Sequence, residues 1–273
     1  MVRRTDMYAP DLPRNEEGWI ILPKDSTVRK SLFFPPEVMS HPAKMNLYMQ
    51  QACIDFVASP GETILDPFGG TGSLMIATLQ GIRVILLDIE EGYHLLQQRV
   101  RDNLEKQLPE AAKLVTLLHG DNRFLLPIPC NHIITSPPYA GAMDIRKVRT
   151  KRDDAPDDWL VRMDQQMMEY SKNPRNISKL NTFLYNRAMK TIYRLCWESI
   201  LPGGTLTVNI KDRIEGGQRV YLSKWISMVC KTLGFVEEGW FKWQVPGSGF
   251  TNIARSQGKM TVDDEDVIVF RRP

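Results

Sequence analysis

The chain has 273 residues, 42% hydrophobic and 25% charged, with a formal net charge of +3, enough for one large α/β domain or two small ones. No apolar run approaches the ~18 residues of a membrane-spanning helix, and Met1-Val2-Arg3-Arg4-Thr5-Asp6 lacks the hydrophobic segment of a secretory signal. Cys53, Cys130, Cys196 and Cys230 are widely spaced with no C-x-x-C pair, so reduced thiols, no metal site and a cytoplasmic setting are expected.

Residues 1 to 40 are proline-bearing and weakly periodic, and read as an extended N-terminal arm whose strand-like run is Trp19-Ile20-Ile21-Leu22. After Ser40 or His41, a helix is expected with Met45, Met49, Ala52 and Phe56 on one stripe. Ser59-Pro60-Gly61 ends it. Thr63-Ile64-Leu65-Asp66 is a short strand. Pro67-Phe68-Gly69-Gly70-Thr71-Gly72-Ser73 and an apolar helix, Leu74 to Leu79, follow. Strand, glycine turn and helix place backbone N–H groups against a ligand. Gly70 and Gly72 fit the start of G-x-G-x-x-G, but Met75 stands at its third glycine and no Lys follows. That disfavours both a dinucleotide pyrophosphate and a P-loop.

Arg83 to Leu87 has the continuous apolar character of a doubly covered parallel strand, and ends in Asp88, about 20 residues on from the first strand. An acid at that place suits ribose hydroxyls. Glu90 to Lys106 reads as an amphipathic helix with Leu95, Leu96, Val100 and Leu104 inward. Leu114 to Leu118 is a third strand, before His119-Gly120-Asp121-Asn122, and Asn131 to Thr135 is a fourth. It stops at Ser136-Pro137-Pro138-Tyr139, because two prolines fix φ and withhold two ladder donors. Asp66, Asp88 and Asp121 all follow strands, at the edge where open α/β sheets bind ligands.

Asn181 to Ser199 is expected to be a helix facing inward with Leu184, Ala188, Ile192, Leu195 and Ser199. Thr205 to Ile210 is a strand, 211 to 219 a flexible polar loop, and Tyr221 to Leu233 a helix. Strands near Val236 to Val245 and Val267 to Arg271 close the chain, with Trp240, Phe241 and Trp243 in the sheet core.

These residues resemble the S-adenosylmethionine-dependent amino-methyltransferases of DNA. His41-Pro42 is similar to the family's motif X, and Asp66-Pro67-Phe68-Gly69-Gly70-Thr71-Gly72 to its D-P-F-x-G-x-G motif. Asp88 and Asp121 stand as its motif II and III acids, and Ser136-Pro137-Pro138-Tyr139 matches [DNS]-P-P-[YF]. The order resembles the γ arrangement, although little sequence is left for a large recognition domain. The resemblance implies a doubly wound, mostly parallel seven-stranded α/β sheet with the last strand antiparallel, in one catalytic domain spanning 1–273. It implies S-adenosylmethionine as cofactor, held by His41, Pro42, Asp66, Phe68, Gly70, Gly72, Asp88 and Asp121. Ser136, Pro137, Pro138 and Tyr139 would be catalytic. Serine in the first position is more like members acting on cytosine N4; adenine N6, an RNA amine and a catalytically silent DNA-binding module are the alternatives.

An aromatic amine is a poor nucleophile, because its lone pair is delocalised into the ring. Acceptors on its two N–H bonds favour a localised lone pair, and Ser136 Oγ with the Pro137 carbonyl can supply them. Tyr139 would stack on a base extracted from the duplex. Between Gly141 and Arg194 there are twelve Lys or Arg and seven Asp or Glu. Arg146, Lys147, Arg149, Lys151 and Arg152 directly follow the proline turn, so 141–185 is the expected DNA-recognition insert. Pro246 to Lys259 is a second candidate loop. Double-stranded DNA is thus the expected partner, with no membrane; a homodimer is compatible with the sequence, and restriction-modification is one setting for such an activity.

Overall fold

The runs Ile64-Leu65, Val84 to Leu87 and Ile133-Ile134 have no polar face to offer water, so they form interior strands covered on both sides. In the computed structural model, which describes residues 8–40, 44–139, 172–245 and 255–273, ten strands form. They are β1 (Ile20–Ile21), β2 (Thr63–Asp66), β3 (Arg83–Asp88), β4 (Val115–His119), β5 (Cys130–Thr135), β6 (Ile200–Ile210), β7 (Arg213–Glu215), β8 (Gln218–Val220), β9 (Val236–Gln244) and β10 (Asp264–Arg271). Eight make one sheet in the order β1-β9-β10-β6-β5-β2-β3-β4, and β7 pairs with β8. From β4 to β6 the neighbours are parallel, whereas β10 runs antiparallel to both β6 and β9. The seven expected strands are present with the last antiparallel; the eighth is β1, which the N-terminal arm adds in parallel to β9.

Helices cover both faces, as an α/β layer architecture requires. On one face lie α1 (Ser26–Ser31), α2 (Pro36–Ser40), α3 (Leu47–Val57), a 3-10 helix at Ser73–Gln80, α4 (Glu91–Gln107) and α5 (Pro109–Ala112). On the other lie α6 (Asn122–Leu125), α7 (Thr182–Ser199) and α8 (Leu222–Thr232). The chain steps from β2 outward to β3 and β4, then returns to place β5 on the other side of β2. The gap between β2 and β5 is therefore the topological switch point, where such sheets bind ligands beyond their C-terminal ends.

Several boundaries differ from expectation. The arm contains two short helices. Asn46, not Ser40 or His41, caps α3, its side-chain oxygen accepting from Tyr48 N (2.9 Å) and so satisfying one of the orphan N–H groups at the helix start. Leu95 is half exposed, and α4 instead buries Tyr93, Leu96, Gln97, Val100 and Leu104. Leu184 is likewise exposed, while Tyr185, Met189 and Tyr193 join Ile192, Leu195 and Ser199 inside α7. The helix after the glycine turn is 3-10, held between left-handed Gly72 and Gly81 (φ +79° and +72°).

The stretch 211–219 is not a loose loop. It contains β7 and most of β8, fastened by Arg219 between Asp212 (2.9 Å) and Asp264 (2.7 Å), both nearly fully buried. Two buried carboxylates sharing one fork-shaped cation give the hairpin a fixed seat. Trp243 is fully buried, with Phe241 and Trp240 packed against opposite cores, as the alternation predicts. Among the described residues no helix is long and apolar enough to cross a membrane.

Candidate active site

Two turns meet at the switch point. Asp66, at the end of β2, accepts through Oδ1 from Phe68 N (2.9 Å) and from the Thr135 hydroxyl (2.6 Å). One carboxylate thus ties the glycine turn to the last residue of β5, immediately before Ser136. Beyond it, Gly70 adopts φ +47°, and the Gly69 position is crowded: a Cβ there would meet Gln97 Nε2 at 2.9 Å and Leu86 Cβ at 3.1 Å. Only glycine lets the turn lie this close to β3 and α4. Gln97 Nε2 donates to Gly70 O (2.9 Å), and Asp88 Oδ2 accepts from Gly70 N (2.8 Å), so α4 and the end of β3 grip the turn from both sides.

Above these turns lies a cleft lined by Phe68, Gly70, Asp88, Asp121, Ser136 and Pro138 among others. Six of the expected site residues therefore face one space. Asp66 braces it, Gly72 opens the 3-10 helix, and Pro137 is buried. Tyr139 does not line the cleft in this structure: it packs against the core beside α7, and its hydroxyl accepts from Lys211 N (3.1 Å). Pro138 O accepts from the Tyr185 hydroxyl (2.5 Å), which fixes the proline turn over α7. His41, Pro42, Arg146, Lys147, Arg149, Lys151, Arg152 and most of the 246–259 loop lie outside the described residues. Arg255, within them, is ion-paired with Asp263.

The cleft wall includes residues that the sequence did not single out. Glu90 is buried, and its carboxylate accepts from Lys172 N (3.0 Å), Asn173 N (3.0 Å) and Asn176 Nδ2 (2.7 Å). It thereby docks the 172–177 turn, whose Arg175, Asn176 and Ile177 close one side of the cleft. In sequence Glu90 looks like any acid at a helix start, and its partners lie more than eighty residues away. Asn122 Nδ2 donates to Pro67 O (3.0 Å) across the floor. Replacing Glu90 by alanine leaves two amides and a carboxamide donor without their acceptor. We expect a loss of about 2 to 4 kcal/mol of stability, with Glu90→Gln losing less; chemical denaturation checks both.

The three acids around the cleft are in different electrostatic states. Asp121 caps α6 and is held by Arg123 through Nε (2.8 Å) and Nη2 (2.6 Å), so its charge is locally matched. Asp88 accepts from Gly70 N and Glu90 N (2.9 Å), and burial pushes its carboxyl up to about 6 in spite of those bonds. Burial likewise pushes Asp66 up to about 7, opposed by its bonds from Thr135 and Phe68. Both values exceed the ~4 of an unfolded carboxyl, so the folded chain binds more protons between about pH 4 and 7 and loses stability as pH rises through that window. Denaturation midpoints of Asp66→Asn should therefore fall less between pH 5 and pH 8 than those of the parent. An equal fall in the two proteins would contradict this assignment.

Residues 11–99 match the family model described as DNA methylase. The matched stretch takes in much of the arm, α3, the glycine turn and Asp88, and ends before Asp121 and the proline turn. No match is found among curated proteins. Among solved structures, a possible exported protein from Bordetella parapertussis shares 10% identity over 83% of this chain and 67% of its own, with a TM-score of 0.50. TrmN from Thermus thermophilus shares 14% over 87% and 52%, TM-score 0.49. The glycopeptide N-methyltransferase MtfA, solved with S-adenosyl-L-methionine, shares 12% over 94% and 100%, TM-score 0.48. The chain thus spans about half the length of TrmN. At such identities the likeness is one of fold. The family match supports a methyltransferase.

Proposed function

We propose that the chain is a DNA methyltransferase using S-adenosylmethionine, which transfers a methyl to an exocyclic base amine, cytosine N4 in our reading. The observation that carries it is that Phe68 and Gly70 from one strand end, and Ser136 and Pro138 from the strand across the switch point, line a single cleft. The donor set fits that cofactor. Asp88 accepts one N–H on each oxygen, and a carboxylate has about four acceptor sites, so ribose hydroxyls can still be taken. Phe68 offers an apolar surface, and the two glycines permit close approach of backbone. When bound, S-adenosylmethionine supplies an electrophilic methyl on a sulfonium.

The chain's own contribution is to orient the amine and stabilise charge. Ser136 Oγ and the Pro137 carbonyl accept from the two amine N–H bonds, localising the nitrogen lone pair toward the methyl. A serine hydroxyl is too weak a base to ionise at neutral pH, so the surplus proton passes to water after transfer. In this reading residues 1–273 act as one catalytic domain, with 1–40 as an arm and 141–185 as a DNA-recognition insert in which Arg146, Lys147, Arg149, Lys151 and Arg152 meet phosphates. No group of three or more metal-ligating side chains is found among the described residues, and this mechanism calls for none.

The test is transfer of labelled methyl to duplex DNA against total RNA, followed by base-resolved detection of the product. N4-methylcytosine in DNA is expected. N6-methyladenine would move the base assignment but keep the enzyme class; activity confined to RNA would end the DNA reading.

A further inference from the structure

Residues 172–197 contain Lys172, Arg175, Lys179, Arg187, Lys190 and Arg194 and no Asp or Glu. All six are exposed. Elsewhere the arginines are largely matched: Arg29 to Asp25, Arg123 to Asp121, Arg219 to Asp212 and Asp264, Arg271 to Glu238. Here only Arg194 has an acidic partner, Glu198 at 2.6 Å. Lys179 reaches the Lys172 carbonyl (3.4 Å), and among the described residues no ion pair holds Lys172, Arg175, Lys179, Arg187 or Lys190.

The arrangement is ordered. On α7 the exposed positions Phe183, Arg187, Lys190 and Arg194 recur at spacings of four, three and four, which puts them on one stripe, roughly 16 Å long at 1.5 Å per residue. At its upper end Phe183 is 74% exposed, and α6, which packs against α7, carries Phe124 at 75%. Arg123 Nη2 donates to Arg175 O (2.9 Å), fastening α6 to the 172–181 turn. That turn and the start of α6 also line the cleft through Arg175, Asn176 and Asn122. The 172–181 turn and α6 thus border the cleft on one side and pack against α7, which carries the basic stripe, on the other.

A row of unmatched cations suits a polyanion, and exposed rings beside it suit the faces of bases, which stack on aromatics without regard to sequence. An acidic protein would use the cations but gives the rings no such role. We propose that the outer face of α7, with α6 and the 172–181 turn that belongs to the 141–185 insert, is one duplex DNA docking surface, which extends the DNA contact beyond that insert to Arg187 and Lys190. In it Lys172, Arg175, Lys179, Arg187 and Lys190 bind phosphates, and Phe124 and Phe183 pack on the step left unstacked where a base leaves the helix. This rests on the DNA reading above, and names where the duplex lies.

The test uses the full chain and a fluorescent duplex over a series of salt concentrations. The triple variant Lys179→Gln, Arg187→Gln, Lys190→Gln should bind more weakly and flatten the log–log salt slope by about 2 to 3. Its affinity for S-adenosylmethionine, by calorimetry, should be that of the parent, which also establishes that it is folded. Phe124→Ser with Phe183→Ser should keep the slope yet lose the parent's preference for a duplex with one unpaired base. If the parent binds DNA and the triple variant binds equally at every salt, the docking face is overturned while the DNA reading stands. If the parent binds S-adenosylmethionine but no duplex, both are overturned. If the triple variant loses only binding to polyglutamate, the face serves an acidic protein and the inference fails.

Discussion

Ser136→Ala is expected to raise the barrier to methyl transfer by about 2 to 4 kcal/mol, the cost of deleting one preorganised group that acts on developing charge. Ser136 is partly exposed and lines the cleft, and among the described residues no hydrogen bond occupies its hydroxyl. Losing the oxygen therefore leaves no orphaned partner, and the denaturation midpoint should hardly move. Cofactor affinity should stay near the parent's as well, because in the proposed geometry the hydroxyl faces the amine. Single-turnover kinetics with saturating DNA separate these effects. A variant that keeps the parent's rate would remove Ser136 from the reaction and leave the backbone carbonyls as the only acceptors on that side.

The parts of the site that were legible in the sequence are those made by local chemistry. A strand that must stop at Pro137-Pro138, and a glycine turn between a strand and a helix, announce themselves because φ, ψ and missing donors are properties of a few adjacent residues. The order of strands then brings both turns to one gap. What was not legible depends on long-range pairing. Glu90 holds a turn more than eighty residues downstream. Arg219 looked like part of a polar loop, yet two acids beside it, one of them 45 residues on, make it a clamp. The partner of the Tyr139 hydroxyl, the Lys211 amide 72 residues on, was equally out of reach of local pattern. On α7 the expected stripe holds at Ile192, Leu195 and Ser199 but slips by one residue at the first turn, where Leu184 and Tyr185 are both apolar enough to take the inward position. The larger ring with a hydroxyl that reaches Pro138 O is the one that goes inside.

The other large effect is expected behind the glycine turn, at a residue that does not line the cleft. Arg29 is fully buried on α1, where its guanidinium donates to Asp25 Oδ2 (2.7 Å), Met45 O (2.7 Å) and Ser73 Oγ (2.9 Å). Burial alone would lower its pKa, and the Asp25 carboxylate opposes that. Asp25 Oδ2 in turn accepts from Leu47 N, at the start of α3 (3.0 Å). One side chain thus joins the arm, α3 and the first residue after the glycine turn. Arg29→Ala removes the cation and strands a largely buried carboxylate, a carbonyl and a hydroxyl, so a loss of about 3 to 5 kcal/mol is expected. Arg29→Ala with Asp25→Ala should lose less than the two single losses added, because the stranded charge goes with its partner. Where the folded variant can still be measured, cofactor affinity should drop too, since Ser73 follows directly on Gly72 and the turn loses its brace from behind. Denaturation of the two single variants and the double one tests the coupling. Strict additivity would mean that Arg29 and Asp25 act independently, and that the arm does not brace the glycine turn.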